Sequence, residues 1–99
     1  MIGNAIDKVC DDYIDLLERV IRDNPVGNVR GVFKNKTGFL IDQEMLTIII
    51  ESSLRIRPLE YYFKTDERFK PLLLKLKNHA KNEINTFIFD NFKKQNPLE

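Results

Sequence analysis

The chain has 99 residues, of which 42% are hydrophobic and 31% charged, and its formal net charge at pH 7 is +1. This length and composition predict a single folded domain across residues 1–99 and exclude an intrinsically disordered chain. A net charge so close to zero gives no overall electrostatic attraction to nucleic acid or to an anionic membrane.

Cysteine usage and hydropathy bear on the compartment. Cys10 is the single cysteine, which excludes an internal disulfide framework and a cysteine-rich zinc site. The N-terminal stretch carries acidic residues where a signal peptide needs uninterrupted apolar ones, and no run approaches the roughly 18 apolar residues of a membrane span. We therefore expect a cytoplasmic protein with no membrane partner.

The first predicted element is an amphipathic helix. Its apolar residues recur at three- and four-residue spacing, which places them in one stripe. The stripe consists of Ile6, Val9, Tyr13, Leu16, Leu17, Val20 and Ile21. Pro25 ends the helix, because a proline biases the residue before it away from helical angles. Asp15 with Arg19, and Glu18 with Arg22, are i,i+4 pairs in the favourable order.

The next segment is ambiguous. Short apolar runs flank the sequence KNKTG, whose Gly38 would supply the positive φ of a tight turn. The pattern favours a short β-hairpin near residues 29–41, with an irregular loop as the alternative. Two such strands would be marginal alone and would have to lie on the helices.

A second long helix is predicted from Asp42, a suitable N-cap, to about Ile56. The β-branched run TIII argues for a strand, but a strand of that length would be unusual, so a buried helix is favoured. Pro58 then begins a short helix over PLEYYF. Thr65 is a candidate cap for one further turn.

The last predicted helix has a kink at Pro71 or begins afresh there, because proline inside a helix removes a hydrogen bond. It runs to about Lys94, roughly 35 Å at about 1.5 Å per residue, and residues 95–99 form a frayed tail. The expected fold is therefore mostly α, with three to four helices and a short hairpin.

Angular positions on the last helix define its buried side. At about 100° per residue, one apolar stripe runs from Phe69 to Phe87, and the basic residues fall on both flanks of it. Lysines beside a buried stripe are usually solvated. The predicted core of the domain is Ile6, Val9, Leu16, Leu17, Val20, Met45, Ile48, Ile49, Leu72, Leu73, Leu76, Ile84 and Phe87.

A second apolar side appears on the same helix. Leu74, Phe89 and Phe92 lie roughly 140–200° from the stripe. Either the hairpin or the first helix covers them, or they form a partner-binding or homodimer surface, to which Tyr61 and Tyr62 would contribute. The favoured function is accordingly a non-enzymatic regulatory or adaptor module that acts through protein–protein contact.

The alternative is a small nucleic-acid-binding regulator that uses basic residues around the Pro71 bend. Its candidate contacts are Arg55, Arg57, Arg68, Lys70, Lys77 and Lys81. The order of elements from residue 42 to residue 63 also matches a helix–turn–helix. However, the first turn of the second helix presents Leu59 and Glu60, where a recognition helix presents polar or basic groups.

Motifs for catalysis, cofactors and metals are missing from the sequence, so no enzyme, cofactor or metal site is predicted. Cys10 and His79 would be the one nucleophile–base pair, but Cys10 is expected to be buried and inert. His79 precedes Glu83 by four residues and is expected to lie near its carboxylate. An acidic ridge along the first helix is expected to be solvated or to face the basic flanks of the last helix. The ridge consists of Asp7, Asp11, Asp15 and Glu18.

Overall fold

Five α-helices and one 3-10 turn account for most of the computed structural model, which describes the backbone of residues 2–95 and the side chains of residues 3–92. The elements, in chain order, are α1 (Ile2–Asp23), α2 (Val26–Thr37), α3 (Gln43–Ser53), α4 (Leu59–Thr65), the 3-10 turn (Glu67–Phe69) and α5 (Lys70–Gln95). The mostly α class is confirmed, with more helices than the three to four expected. Residues 96–99 of the predicted tail lie outside the described part.

The predicted hairpin near residues 29–41 is wrong, because this segment forms helix α2. Its buried residues, Val29, Phe33 and Thr37, are spaced by four, which is the period of a helix face and not the alternation of a strand. Gly38 does adopt a positive φ of 77°, but as the left-handed C-cap of α2, where its N–H donates to the Lys34 carbonyl at 2.7 Å.

Helix α1 is the centre of the packing and contacts α2, α3, α4 and α5. The fully buried side chains include Leu17 on α1, Phe33 on α2, Ile49 on α3 and Phe69 in the 3-10 turn. No helix within residues 2–95 is both long and apolar enough to cross a membrane.

The predicted core is confirmed in part. Buried members are Leu17, Val20, Ile49, Leu72 and Leu76. Partly buried members are Ile6, Val9, Leu16, Met45, Ile48, Leu73 and Ile84. Phe87 is wrong: it is 69% exposed, although it lies on the same side of α5 as the buried residues. Burial along this side of α5 decreases from Ala80, which is buried, through Ile84, which is partly buried, to Phe87, so packing and not the angle on the helix decides the exposure of Phe87.

The start of α5 resolves the two alternatives for Pro71. A fresh helix begins at Lys70, with Pro71 in its first turn, where no intrahelical donor is lost. Asp66, not Thr65, caps the preceding 3-10 turn: its carboxylate accepts the Arg68 N–H at 3.0 Å. The Thr65 hydroxyl instead donates to the Tyr61 carbonyl at 2.8 Å.

Candidate functional site

Helix α5 has two parts with different surroundings. Its first part packs on the other helices through Leu72, Leu76 and Ala80, all buried. From residue 85 to residue 92 every side chain is exposed except Asn91, which is partly buried. The molecule extends 54 × 26 × 19 Å, with a Cα radius of gyration of 15.4 Å against about 13 Å for a compact domain of this size. We call residues 84–95 the arm.

A hydrogen-bond network holds α5 at the base of the arm. The Tyr13 hydroxyl on α1 donates to Glu83 Oε2 at 2.5 Å. His79 Nε2 lies 3.0 Å from Glu83 Oε1 and 2.6 Å from the Thr37 carbonyl oxygen at the end of α2. Both neighbours of Nε2 are oxygen acceptors, so this nitrogen carries a proton. The predicted proximity of His79 and Glu83 is confirmed, and the network joins three helices.

We expect Tyr13→Phe to lower the free energy of unfolding by about 1–2 kcal/mol at pH 8, because it removes a hydrogen bond to a charged acceptor. Burial, together with the Glu83 hydrogen bond, raises the pKa of the Tyr13 hydroxyl. A raised pKa stabilises the fold below the unfolded value of about 10, and this contribution is lost as the pH rises above it. The difference between wild type and variant should therefore be constant below about pH 9 and shrink as the pH rises above about 10.

Urea unfolding at several pH values would measure this difference. Tyr61→Phe is the matched control, because Tyr61 is exposed on α4 and should show neither effect. A Tyr13→Phe variant as stable as wild type at pH 8 would remove the network as a stabilising element.

The arm exposes large apolar side chains around much of its circumference. The exposed fractions are 69% for Phe87, 49% for Ile88, 63% for Phe89 and 62% for Phe92. From Phe87 to Phe89 these residues cover about 200° of the helix. Asp90 is the single charged residue from Ile84 to Phe92. Large apolar groups gathered on a segment with a single charged residue are typical of an interaction surface.

The predicted partner-binding residues fall into separate groups. Leu74 is 62% exposed, and it lies on the packed part of α5, while Phe89 and Phe92 are exposed on the arm. Tyr61 is exposed on α4, with the Arg57 guanidinium 5.0 Å above its ring. Tyr62 is wrong as a surface residue, because its side chain is buried against Phe69.

The sequence interpretation missed Phe87 and Ile88 as members of this surface. Ile88 was overlooked because it lies between the two apolar sides on the helical wheel, about 100° from Phe87. The signal that would have found it is the dense run FIFDNF, which puts apolar groups on more sides of a helix than one neighbour can cover.

The residues of the nucleic-acid alternative are exposed but largely engaged with nearby groups. Arg68 pairs with Asp66 at 2.7 Å, Lys70 with Glu67 at 3.0 Å, and Lys77 with Asp7 at 3.8 Å. Arg55 and Arg57 lie in the segment between α3 and α4, and Lys81 lies on α5. The chain does not fold back at Pro71, so the two basic flanks of α5 stay on opposite sides of its buried stripe.

Helix α4 does not have the features of the recognition helix of a helix–turn–helix. That helix has seven residues, and Leu59, Tyr62 and Phe63 among them are buried. A recognition helix must expose its first turns to base edges, whereas the first residue of α4 faces the core. The Leu59 N–H donates to Glu18 Oε2 of α1 at 2.6 Å, which fixes the start of α4 against α1.

Cys10 is 1% exposed, and burial raises the pKa of its thiol. It lies at the floor of a shallow groove of about 290 Å³ between α1, α4 and α5. The Glu60–Lys64 pair, at 2.9 Å, and the Asp7–Lys77 pair form the rim of this groove. A thiol with a raised pKa is a poor nucleophile at neutral pH. His79 Nε2, the nitrogen that would have to act as the base, is already hydrogen-bonded to the Thr37 carbonyl and to Glu83.

Part of the acidic ridge faces the basic flank of α5, as expected: Asp7 pairs with Lys77. Glu18 pairs with Arg22 at 3.6 Å, which confirms that predicted i,i+4 pair. Among the described residues no group of three or more histidine, cysteine or acidic side chains is placed to hold a metal ion.

Comparison of the chain with protein-family models, with curated proteins and with solved structures finds no match.

Proposed function

We propose that this protein is a non-enzymatic regulatory or adaptor module that acts through protein–protein contact, with the arm of α5 as its contact surface. The observation that supports the proposal is the exposure of Phe87, Ile88, Phe89 and Phe92 on a helix that continues beyond its own core. Binding surfaces typically combine aromatic anchors with a low density of charge, and residues 84–92 of the arm combine three phenylalanines with one charged residue.

The alternative of a membrane-surface helix is less well supported. Such helices carry apolar residues on one face and basic residues on the other. The arm has apolar groups over about 200° of its circumference, and its charged residues are Asp90 and, in the last turn, Lys93 and Lys94, so it has no extended basic face. A surface of this kind fits protein partners that enclose it.

The proposal predicts site-selective photo-crosslinking. A benzophenone amino acid at position 88, in cells that naturally produce the chain, should form adducts with one or a few proteins. The same amino acid at position 34, an exposed site on α2, should not form them. Adding Phe89→Asp should reduce the adducts from position 88 at least about tenfold, because a buried, unpaired carboxylate is costly in an apolar interface.

Asn35→Asp is the matched control for that charge, because it places the same group on the exposed surface of α2. Phe89 is exposed, so Phe89→Asp should leave thermal unfolding unchanged. No adduct from position 88, or equal adducts from positions 88 and 34, would contradict the proposed function.

The nucleic-acid alternative stays a prediction. None of the contacts described above favours it over protein binding through the arm. It requires binding to DNA or RNA that weakens steeply with salt, which a titration at low ionic strength would detect. A cytoplasmic location is likewise proposed from the reduced, buried Cys10.

A further inference from the structure

The outward side of α5 carries a heptad pattern that continues from the packed part into the arm. Its members are separated by four, three, four, three and four residues. They are Leu74, Asn78, Lys81, Asn85, Ile88 and Phe92, and all six are exposed. They span about 80° of the helix, centred about 140° from the buried stripe. We call these six residues the outer seam. This spacing keeps the six residues on one side of the helix, as at the a and d positions of a coiled coil, with apolar residues at the two ends of the seam and polar residues at its middle.

We propose that the partner of the arm is a second copy of the chain, with the two α5 helices packed antiparallel along their outer seams around a two-fold axis at residue 83. This inference rests on the proposed function and names its partner. In that register Leu74 faces Phe92 of the second copy, Asn78 faces Ile88, and Lys81 faces Asn85. Each seam residue therefore meets another seam residue.

The register accounts for the position of Leu74. In a monomer this exposed leucine lies 18 residues from Phe92, about 27 Å along the helix, and is isolated from the arm. Antiparallel pairing brings each Leu74 onto the arm of the other copy and produces two equivalent apolar contacts. Closed two-fold contacts of this kind are the commonest form of oligomer.

Charge selects the antiparallel orientation over the parallel one. Lys81 is the one charged residue of the outer seam, whereas Lys93 and Lys94, at the end of α5, lie about 100° or more from the centre of the seam. Parallel pairing would place Lys81 against Lys81 of the second copy, and it would place helices α1–α4 of both copies at the same end of the paired α5 helices. Antiparallel pairing places Lys81 against the neutral amide of Asn85, and it places helices α1–α4 of the two copies at opposite ends. Like charges in direct contact destabilise an interface.

The available area favours a reversible dimer. At about 200 Å² for a whole aromatic side chain, the exposed fraction of Phe92 provides roughly 125 Å² per copy, and Phe89, which lies beside the seam, offers a similar area. Leu74, Ile88 and the polar seam residues extend the contact over five helical turns. A standard interface buries about 800 Å² per partner, so this contact is smaller than a standard interface, and the dimer should dissociate on dilution.

Disulfide trapping tests the register directly. Leu74→Cys and Phe92→Cys are made as separate proteins, each with Cys10→Ser, and are mixed under mild oxidation. The mixture should give a disulfide between positions 74 and 92, at least about fivefold more than either protein alone, since like positions lie about 27 Å apart. The mixed dimer keeps one native contact between Leu74 and Phe92. Both positions are exposed, so the substitutions should not alter the fold.

Sedimentation of the wild-type chain between about 1 and 200 µM should show a concentration-dependent dimer that Ile88→Asp abolishes and Asn35→Asp does not. Preferential pairing of position 74 with position 74 would overturn the antiparallel register. A chain that stays monomeric throughout would overturn the homodimer. If position 88 then still crosslinks to a different protein in cells, the proposed function stands without this inference.

Discussion

Phe69→Ala is expected to lower the free energy of unfolding by about 3–5 kcal/mol, whereas Phe87→Ala should change it by less than about 0.5 kcal/mol. The two phenylalanines are 18 residues apart, an interval of five α-helical turns; Phe69 ends the 3-10 turn that leads into α5, and Phe87 lies on α5. Phe69 is fully buried and Phe87 is 69% exposed. The pair isolates the effect of burial from that of residue type.

The expected loss at Phe69 is large because this ring is the centre of an aromatic cluster. Phe63 packs edge-on at 5.0 Å between ring centroids, and Tyr62 lies stacked at 6.3 Å. Truncation would leave a cavity between α4, the 3-10 turn and α5, and it would also remove favourable ring contacts. With a total stability of about 5–15 kcal/mol for a domain, such a variant would be close to unfolding.

Urea unfolding followed by circular dichroism would measure both variants against wild type, with attention to the slope of the transition. Equal losses for Phe69→Ala and Phe87→Ala would mean that the arm is covered within the monomer. That result would also remove the basis for the proposed interaction surface.

Glu18→Ala is expected to cost about 1.5–3 kcal/mol. The carboxylate of Glu18 accepts the N–H of Leu59 at 2.6 Å, at the first residue of α4. Pro58, at the N-cap of this helix, provides no side-chain hydrogen bond. Because Leu59 is buried and this hydrogen bond is partly buried, the substitution removes the side-chain acceptor of the Leu59 amide.

Glu18→Gln keeps an acceptor oxygen and should lose less than half as much stability as Glu18→Ala. Asp15→Ala, an exposed acidic residue on the same helix, controls for the removal of a negative charge from α1. Thermal unfolding of the three variants gives the comparison. If Glu18→Ala is no less stable than Asp15→Ala, then the contact between α1 and α4 does not stabilise the fold.

The first and last helices could be predicted from the sequence because their apolar residues repeat with a helical period over many turns. Segment 26–37 could not, since Gly27 and Gly31 lower its helix propensity and only Val29, Phe33 and Thr37 form its buried face. Its helical state depends on packing against α1, which is a tertiary contact that a local pattern does not contain.

The candidate site was predictable only in part for the same reason. Leu74, Phe89 and Phe92 were found because they lie off the main stripe of α5. The exposure of Phe87 was not foreseen, because its angle is that of a core residue. That exposure depends on tertiary packing, which the angle does not contain; the C-terminus of α2, for example, lies beside His79 through the contact with Thr37.

Because Cys10 is buried, the reactivity of its thiol can be used to measure how often α1 separates from the helices packed on it. A thiol that is 1% exposed and has a raised pKa reacts with an alkylating reagent only when α1 separates from α4 and α5. The rate of its modification, under conditions where the chain is otherwise folded, therefore gives the free energy of that separation. No label has to be introduced, and the thiol lies in the helix on which the other four pack.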